Sequence, residues 1–514
     1  MAVTETTPLA APDDAPAAPV VPDEVRRRLS PLIARDPMSW VWTAAVALIA
    51  ATLRLVGLAF PGGKVFDEQH YVKHAETFID RGIEWNVETN GADYVVHPPL
   101  GKWCIALGEM VFGRNEFGWR IGSVVAGVAA VVIITRLARR MFGSTVLGCA
   151  AGLLMALDGF QFVLSRFALL DIFLLLFVVA SFACLVADRD QRRGRWLSAL
   201  EEGRLRPRFS VPWWRIASAV LLGCALSVKW SAVTYAIGFV IMFVAWEIQI
   251  RRTAGVKRPI WNGFLDELGW VALYTLTTIV TYVSSWFGWF ASDQGWGRHW
   301  LRDNGHSEPP VIGALYNLFK YHRDMLTFHE GLSDKHPYQS WPMEWLLLGR
   351  PVAFHYTGDA ACGAPQCASE VVLLGTPLLW WSFIPALFAV AWFGLSRRDW
   401  RAWPILGFSL LGVFIPWVFY PKRTMFYFYA APAEPFLILA VTFVLGVVAG
   451  QQARSVSVLT PDRPARRRTV GAVIAGSYLG VIAVCFAYFY PIYTGQAITY
   501  ASWWARMWLG NHWV

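Results

Sequence analysis

The chain alternates between long apolar runs and short polar segments. Runs of about 18 or more mostly apolar residues recur, and each is long enough to cross a bilayer as a helix. We therefore predict an all-α polytopic membrane protein with about eleven transmembrane helices. The predicted spans lie at roughly 40–60, 117–138, 144–161, 165–187, 214–230, 231–249, 267–289, 371–395, 402–420, 427–449 and 470–490.

Two longer polar segments interrupt this pattern, at about 61–116 and about 290–370. They divide a transmembrane domain at 40–490 into bundles of helices with two large loops. The Pro/Ala-rich residues 1–39 contain no apolar run, so we predict a disordered tail rather than a signal peptide. Residues 491–514 are predicted to form a second tail beyond the last span.

The basic residues predict the orientation of the spans. Lys and Arg concentrate in the short segments on one side, and the positive-inside rule assigns that side to the cytoplasm. The N-terminus is then cytoplasmic, whereas both large loops and the C-terminus face outward from the plasma membrane. The segments that carry this bias include Arg26–Arg28, Arg136–Arg140, Arg189–Arg208, Arg251–Arg258 and Arg397–Arg401.

Composition agrees with a membrane protein. Hydrophobic residues make up 56% of the 514 residues and charged residues only 16%. The mean hydropathy is +0.40. Tryptophans are placed at many run ends, as in an interfacial belt. The net charge is +9. The basic residues lie mainly in the short loops between spans, so they indicate membrane orientation rather than binding to nucleic acid.

The segment VFDEQHYVKHA at 65–75 places two adjacent carboxylates, Asp67 and Glu68, just after the first span. Apolar residues at 66, 71, 72, 75, 78 and 79 predict an amphipathic outer helix. Acidic residues also favour the start of a helix, so spacing alone leaves a structural and a functional interpretation open. A metal site is a third alternative, because Asp67, His70 and His74 share a helical face.

A second outer motif, HPPLGKW at 97–103, brings His97 and Lys102 close in sequence. The two prolines stiffen the backbone and the glycine permits a tight bend. The motif is therefore predicted to be either an ordered loop over the membrane or a rigid platform for polar groups at the headgroup level.

Several cations lie within or beside the apolar runs. They are Arg120, Arg166 (with Asp171 nearby), Lys229 and Arg423. A lone cation in this position is costly unless it reaches the headgroups or meets an anion. Several cations on one leaflet suggest an anionic ligand, most simply a lipid phosphate. The spacing of five between Arg166 and Asp171 is poor for a pair on one helix.

The cysteines divide into two groups. Cys149, Cys184, Cys224 and Cys485 lie in apolar runs, as small core residues do. Cys362 and Cys367 lie together in the polar segment ACGAPQCASE and are candidates for a disulfide if that loop faces an oxidising compartment.

These motifs, taken in order, resemble the protein O-mannosyltransferase family of GT-C glycosyltransferases (glycosyltransferase family 39). The matching segments are FDEQHY, HPPLGKW, SRFALLDIFLLLF, SVKWSA, HPYQSWPMEW and RTMFYFY. The loop at 290–370 is too short for the β-trefoil MIR domain of eukaryotic members. The resemblance is therefore to the bacterial, actinobacterial-type branch.

The resemblance implies transfer of mannose from polyprenyl-phosphate mannose to Ser or Thr hydroxyls of exported proteins, with inversion. Asp67 is the implied general base, and Glu68 positions the acceptor or tunes Asp67. A phosphate-linked sugar has a good leaving group, so one carboxylate is sufficient. The candidates for binding the lipid phosphate are Arg120, Lys229 and Arg423, followed by Arg166, Asp171, His97 and Lys102.

The expected partners are the lipid donor, secreted or membrane acceptor polypeptides, membrane lipids and the Sec export machinery. No cofactor is expected to be required, and a divalent cation is left open. Three alternatives remain. One is a GT-C transferase that uses another lipid-linked sugar, such as an arabinose, or a lipid acceptor. The others are a lipid flippase or transporter and a structural scaffold. Against a transporter, the sequence shows no paired Gly/Pro-broken helices in repeated halves.

Overall fold

The computed structural model describes residues 21–30, 36–450 and 465–514. Its described part is mainly helical, with two small antiparallel sheets. Within that part, eight helical segments are long and apolar enough to cross a membrane. They confirm a polytopic membrane protein, whereas the predicted number of eleven spans stays a prediction. Their bounds are Met38–Leu55, Glu116–Phe142, Leu170–Glu201, Ala232–Thr253, Pro377–Arg397, Ala402–Phe419, Tyr427–Val448 and Arg466–Thr494.

Up to residue 284, the described ranges contain eleven helices. Their bounds are α1 Asp23–Leu29, α2 Met38–Leu55, α3 Glu68–Arg81, α4 Leu100–Phe112, α5 Glu116–Phe142, α6 Thr145–Ala156, α7 Gly159–Leu164, α8 Leu170–Glu201, α9 Trp213–Leu226, α10 Ala232–Thr253 and α11 Pro259–Ser284. The helices α6 and α9 are apolar but shorter than the predicted spans. The predicted span at 267–289 corresponds to α11, which begins eight residues earlier.

The second half begins with the large loop and its short helices. The loop contains α12 Phe287–Ala291, α13 Trp300–Asp303, α14 Ile312–Gly331, α15 Pro342–Trp345, β3 Val352–Thr357 and β4 Cys367–Leu373. The remaining elements are α16 Pro377–Arg397, α17 Ala402–Val413, a 3-10 segment at Tyr427–Ala433, α18 Glu434–Val448, α19 Ala465–Thr494, β5 Ile498–Thr499 and α20 Tyr500–Trp504. In the first loop, β1 Trp85–Asn86 pairs with β2 Gly91–Ala92.

Both predicted tails contain ordered structure. Residues 1–20 and 31–35 of the predicted disordered tail lie outside the described residues. Residues 23–29, however, form α1, whose Leu29 is buried against Trp196 and Ile250. The prediction of disorder is wrong for α1, because this apolar residue finds a partner surface that the local sequence does not reveal. At the other end, β5 pairs with β4, and Trp503 is buried there.

Close packing joins the first loop to the bundle. The helix α4 runs against α5 at a row of glycines, and a Cβ on Gly122 would lie 2.7 Å from the carbonyl oxygen of Cys104. Small residues therefore let these backbones approach, as is usual between membrane helices. The N-terminus of α5 is capped by Asn115, whose side chain accepts a hydrogen bond from Gly118 N at 3.0 Å. This packing fixes the first loop on the bundle.

Candidate active site

The Asp-Glu motif begins the outer helix α3, as its apolar spacing predicted. Asp67 is the residue before the helix and Glu68 is its first residue. Successive residues of a helix point about 100° apart, so the two carboxylates face different surroundings. Phe66, just before them, has a positive φ of 48°. This is a strained conformation for a residue with a side chain, and such residues persist where surrounding structure holds them.

An aromatic cluster holds Phe66 in that conformation. Its ring lies 5.8 Å from the His336 ring, 5.5 Å from that of Phe354 and 5.7 Å from that of Phe426. Two of these rings belong to the second outer loop and one to the segment before α18. The strained turn is therefore set by contacts between segments that are distant in sequence.

Glu68 points into the protein. It is fully buried and forms two hydrogen bonds with Arg120, from Nε to Oε1 at 3.0 Å and from Nη2 to Oε2 at 2.9 Å. Its carboxylate also accepts hydrogen bonds from the backbone nitrogens of Val65 and Ala168. The expectation that Glu68 positions the acceptor or tunes Asp67 stays a prediction; in this structure its oxygens accept hydrogen bonds from internal donors.

Arg120 is equally committed to internal partners. Besides Glu68, its guanidinium donates to the carbonyl oxygens of Leu58, Pro61 and Gly63, at 3.3, 2.8 and 3.1 Å. It is fully buried. The prediction that Arg120 binds a lipid phosphate stays a prediction, and in this structure all its hydrogen bonds go to internal acceptors. Its physical role is to satisfy the carbonyl groups where the chain leaves α2 for the first loop.

Arg166 has a similar structural role. It donates to the carbonyl oxygens of Arg54, Val56 and Gly57, at 2.9, 2.6 and 2.7 Å, and so caps the end of α2. Its neighbour in sequence, Asp171, lies 2.7 Å from Lys229 Nζ instead. The poor spacing noted in the sequence therefore corresponds to separate partners, while a phosphate-binding role of Arg166 stays a prediction. Arg166 precedes α8 and Asp171 lies in its first turn, and the partner of Asp171 comes from the turn between α9 and α10.

Lys102 also turns away from the motif that precedes it. It lies within α4 rather than in a turn, and its Nζ is 2.5 Å from Glu84 Oε1 and 3.0 Å from the His97 carbonyl oxygen. The lysine is buried. Its phosphate-binding role stays a prediction; in this structure it neutralises a buried carboxylate of the first loop.

Asp67 has a different environment. Its Oδ2 accepts a hydrogen bond of 3.2 Å from the Tyr71 hydroxyl, one turn along α3. Burial raises the pKa of Asp67, and the positive charge of Lys229 and the bond from Tyr71 oppose that rise. Asp67 therefore lies within electrostatic reach of Lys229. A half-buried carboxylate with a raised pKa is suited to accept a proton.

A cavity of about 420 Å³ lies beside Asp67 and Tyr71, because the Tyr71 ring is 6.1 Å from the ring of His97, which lines the cavity. The lining includes His97, Asp171, Lys229 and Arg423, four of the residues predicted from the sequence, together with the polar residues Ser231, Thr234, His329 and Glu330. The remaining wall is aromatic and apolar, from Trp230, Val233, Leu326, Ile415, Pro416, Trp417, Phe419, Tyr420 and Tyr429. A mostly apolar cavity with a few charged groups, two of them cations, fits an amphiphilic anion.

Two cations, Lys229 and Arg423, and two carboxylates, Asp171 and Glu330, line this cavity. Lys229 is paired with Asp171, and its Nζ also lies 5.6 Å from the Phe428 ring. Arg423 forms no ion pair with any residue of the described ranges; its Nη1 instead contacts the His329 carbonyl oxygen. Burial lowers the pKa of His97 well below its usual range. Burial, and after it the positive charge of Arg423, lowers the pKa of His329 to about 4. Both rings are therefore neutral near pH 7.

Sequence reasoning missed three contributors to this site. His329 lies on α14, where its Nε2 is 2.7 Å from the Val96 carbonyl oxygen and its ring is 5.3 Å from that of His97. Tyr71 and Tyr429 complete the surroundings of Asp67 and Lys229. Only Tyr71 carried a signal, because it lies one helical turn after Asp67. The other two become neighbours through packing between distant segments.

The sequence also left open a metal site at Asp67, His70 and His74. His74 Nε2 lies 3.0 Å from Asp93 Oδ2, and Asp67 contacts Tyr71 instead. Within the described ranges, no group of three or more His, Cys, Asp or Glu residues is arranged to hold a metal ion.

In the second loop, Cys362 and Cys367 are joined in a disulfide at the end of the β3–β4 hairpin.

Comparisons with known proteins agree along most of the chain. The sequence profile of the dolichyl-phosphate-mannose-protein mannosyltransferase family matches residues 44–291. A second profile, for the C-terminal four-helix membrane region of protein O-mannosyltransferases, matches residues 314–513. The two matches together include the Asp-Glu motif, the cavity and the C-terminal segment.

Two bacterial relatives match over most of their length. A polyprenol-phosphate-mannose–protein mannosyltransferase of Mycolicibacterium smegmatis is 38% identical over 489 residues, which cover 91% of this chain and 92% of the relative. The Corynebacterium glutamicum enzyme of the same name is 33% identical, with coverage of 92% and 93%. Among solved structures, the Saccharomyces cerevisiae protein O-mannosyltransferase Pmt1-Pmt2 complex superimposes with a TM-score of 0.71 at 15% identity, covering 96% of this chain and 94% of that one.

Proposed function

The chain belongs to the dolichyl-phosphate-mannose-protein mannosyltransferase family, and we propose on this basis how its cavity transfers a sugar. The protein is a multi-pass GT-C membrane enzyme that moves mannose from polyprenyl-phosphate mannose to hydroxyl groups of Ser or Thr in acceptor proteins. One observation carries the mechanism. The half-buried Asp67 is hydrogen-bonded to the Tyr71 hydroxyl, and the Tyr71 ring lies 6.1 Å from His97, which lines the same cavity as Lys229 and Arg423.

Asp67 acts as the general base. The acceptor hydroxyl oxygen attacks the anomeric carbon of mannose, and its proton passes to Asp67. The bond between that carbon and the phosphate oxygen breaks, and its electron pair leaves with the lipid phosphate. Attack from the face opposite the leaving group inverts the anomeric centre. The Tyr71 hydroxyl, which donates to Asp67, keeps the carboxylate oriented.

Arg423 and Lys229 bind the departing phosphate. Arg423 has no carboxylate partner in the described ranges, so its charge is available to a ligand. Preorganised cations stabilise negative charge that develops on the leaving group. Asp171 holds Lys229 in place, while the neutral rings of His97 and His329 supply hydrogen-bonding groups without adding charge.

The apolar wall accommodates the isoprenoid chain. The proposed site faces the outer side of the membrane. The bias of Lys and Arg in the short segments supports a cytoplasmic N-terminus and an extracytoplasmic C-terminus and active site. Exported polypeptides are then the acceptors, and contact with the Sec machinery remains part of the proposal. The residues at the site require no metal for this reaction. Full activity of the purified enzyme in a strong chelator is expected.

The decisive experiment is a transfer assay. Purified wild type and Asp67→Asn receive radiolabelled polyprenyl-phosphate mannose and a peptide rich in Ser, Thr and Pro. We expect label on the peptide with wild type and, with Asp67→Asn, unchanged donor binding and no transfer. The control is Asp80→Asn, which removes an exposed carboxylate of the same helix.

Each other outcome has a definite meaning. Full transfer by Asp67→Asn would exclude Asp67 as the base. Label that appears only on a lipid would favour a transferase with a lipid acceptor. Translocation of the donor without any transfer would favour a flippase.

A further inference from the structure

A second cavity lies far from the catalytic one. It measures about 770 Å³ and lies between the start of α2 and the helices α5, α8 and α9. We call it the Arg136 groove, after a residue in its wall. Arg136 and Arg120 are 16 residues apart on α5, which corresponds to about 24 Å along the helix axis. The groove is therefore separate from the catalytic site, at the opposite end of the same helix.

Arginines line one end of this groove. Arg136, Arg139 and Arg140 all come from the last two turns of α5. Arg140 pairs with Asp190 at 3.3 Å, but Asp190 also lies 3.8 Å from Arg189 and from Arg193. A single carboxylate is thus shared among several cations. The local charge is positive, which favours an anion.

Arg136 forms no ion pair with the described residues. Its Nη1 donates to the hydroxyls of Ser39 and Thr43, at 3.1 and 3.3 Å. Its guanidinium also stacks on Trp40, 3.8 Å from the ring centroid. These contacts hold the guanidinium in one place at the groove. Asp36 also lines the groove and attracts Arg136, but three arginines and one aspartate in the lining leave an excess of positive charge.

The rest of the groove is apolar. Ala180, Ala183, Cys184 and Ala187 lie on one face of α8, and their small side chains form an open floor. Leu221 of α9 and Ile133 of α5 form the sides. Trp40 and Trp214, at 59% and 46% exposure, lie at its edge, as tryptophans do at a membrane interface.

We propose that the Arg136 groove binds an anionic phospholipid of the membrane. The lipid phosphate pairs with Arg136 and Arg140, and the first part of an acyl chain lies over the small residues of α8. Charge complementarity identifies this occupant. The groove has arginines at one end and an apolar floor beyond them, and a phospholipid has a negatively charged phosphate at one end and apolar acyl chains beyond it. Anionic lipids are abundant at the cytoplasmic surface, and each basic residue there contributes about 1 kcal/mol to their attraction.

The test measures lipid retention by native mass spectrometry of the full-length protein. Phosphatidylglycerol and phosphatidylcholine with identical acyl chains are compared, and undecaprenyl phosphate is added in a third sample. We expect wild type to retain phosphatidylglycerol preferentially, and Arg136→Gln to weaken that retention by about fivefold, the factor equivalent to 1 kcal/mol. Arg136→Lys, which keeps the charge, should retain most of the preference. Arg397→Gln, a change in an arginine outside the groove, is the matched control.

Three results would overturn the proposal. One is equal retention of the two phospholipids by wild type. Another is equal loss of phosphatidylglycerol from Arg136→Gln and Arg397→Gln. A third is displacement of phosphatidylglycerol by undecaprenyl phosphate, which would assign the groove to the donor lipid.

A second measurement uses wild type alone, so it does not depend on the folding of a variant. Phosphatidylglycerol with a photoreactive acyl chain is crosslinked to the protein in liposomes. We expect label on peptides that contain Cys184 or Leu221. Label that is absent from both peptides would contradict the proposed location. Neither experiment depends on mannosyl transfer, so failure here and failure of the proposed reaction are distinguishable.

Discussion

At the scale of single residues, two adjacent carboxylates have opposite roles. Glu68 is fully buried against Arg120, whereas Asp67 contacts Tyr71 and lies near Lys229 at the cavity. Asp67 and Glu68 are neighbours in sequence but point in different directions from the start of α3. One is therefore the proposed base, and the other belongs to a structural ion pair. Chemical type alone does not distinguish them, because both are acids at the start of the same helix.

The raised pKa of Asp67 predicts a pH dependence. The base acts only when it is ionised, so kcat/KM falls as pH drops through the pKa of the folded protein. Because burial raises that pKa, the acid limb should lie above the usual carboxyl range. Lys229 lowers the pKa of Asp67, so Lys229→Gln should move the limb to higher pH. The measurement is kcat/KM against pH, with the exposed Lys73→Gln as control. An unmoved limb in Lys229→Gln would contradict the assignment.

Lys229 itself should affect the donor more than the acceptor. Lys229→Ala removes a cation expected to meet the lipid phosphate, and a charge-assisted contact of about 2 kcal/mol corresponds to a loss of donor affinity of roughly thirtyfold. Binding of labelled donor and of peptide is measured separately. Because the single change leaves Asp171 buried without its partner, Lys229→Ala/Asp171→Ala is tested alongside. Equal weakening of donor and acceptor binding in both variants would argue against a phosphate role.

At the scale of elements, α3 is held to the bundle by one buried ion pair. Glu68 joins the start of α3 to Arg120 of α5, and Arg120 in turn satisfies carbonyl groups that follow α2. Three elements therefore meet at a single guanidinium. The strained Phe66 turn lies within this arrangement, so the position of Asp67 depends on it.

Breaking that pair should destabilise the fold. Glu68→Gln leaves the Arg120 charge buried without a partner, at a cost of about 3–5 kcal/mol. The thermal midpoint of the purified protein should fall, and activity should fall with the fraction folded. Replacing both residues, in Glu68→Gln/Arg120→Met, should recover part of the midpoint because no charge is left unpaired. Asp80→Asn, which breaks an exposed pair with Arg114, should change it little. A stable but inactive Glu68→Gln would instead indicate a direct chemical role.

At the scale of the whole molecule, the catalytic cavity and the Arg136 groove lie at opposite ends of the bundle. The second outer loop contributes His329 to the catalytic cavity, and the C-terminal segment packs on that loop through Trp503, which donates to Glu370. Burial raises the pKa of Glu370 to about 7. The second large loop and the C-terminal segment thus pack together beside the cavity.

The orientation of this assembly is testable with a membrane-impermeant thiol reagent on intact cells. We expect Glu88→Cys, in the exposed turn of the first loop, to be labelled. Leu205→Cys, at a position 89% exposed between α8 and α9, should be labelled only after the cells are lysed. The wild type, whose free cysteines of the described ranges lie in apolar helices, sets the background. The opposite pattern would invert the proposed topology.

The sequence by itself determined the membrane class, most of the apolar helices and the outer helix α3. These follow from local patterns, because the length of an apolar run and the spacing of apolar residues act through neighbouring residues of the chain. It also placed Asp67, His97, Lys229 and Arg423 among the candidates, since charge near a bilayer requires a reason whatever the fold.

Only the tertiary structure decided which of these charges are available to a ligand. Arg120, Arg166 and Lys102 resemble Arg423 in sequence, yet their partners are two glutamates and backbone carbonyl groups. Apart from the His97 carbonyl beside Lys102, these partners lie 18 to 112 residues away. Likewise, Asp171 meets Lys229 across 58 residues rather than Arg166 on its own segment. Partner choice depends on which helices pack together, and a buried charge takes the nearest compensating group in space rather than in sequence.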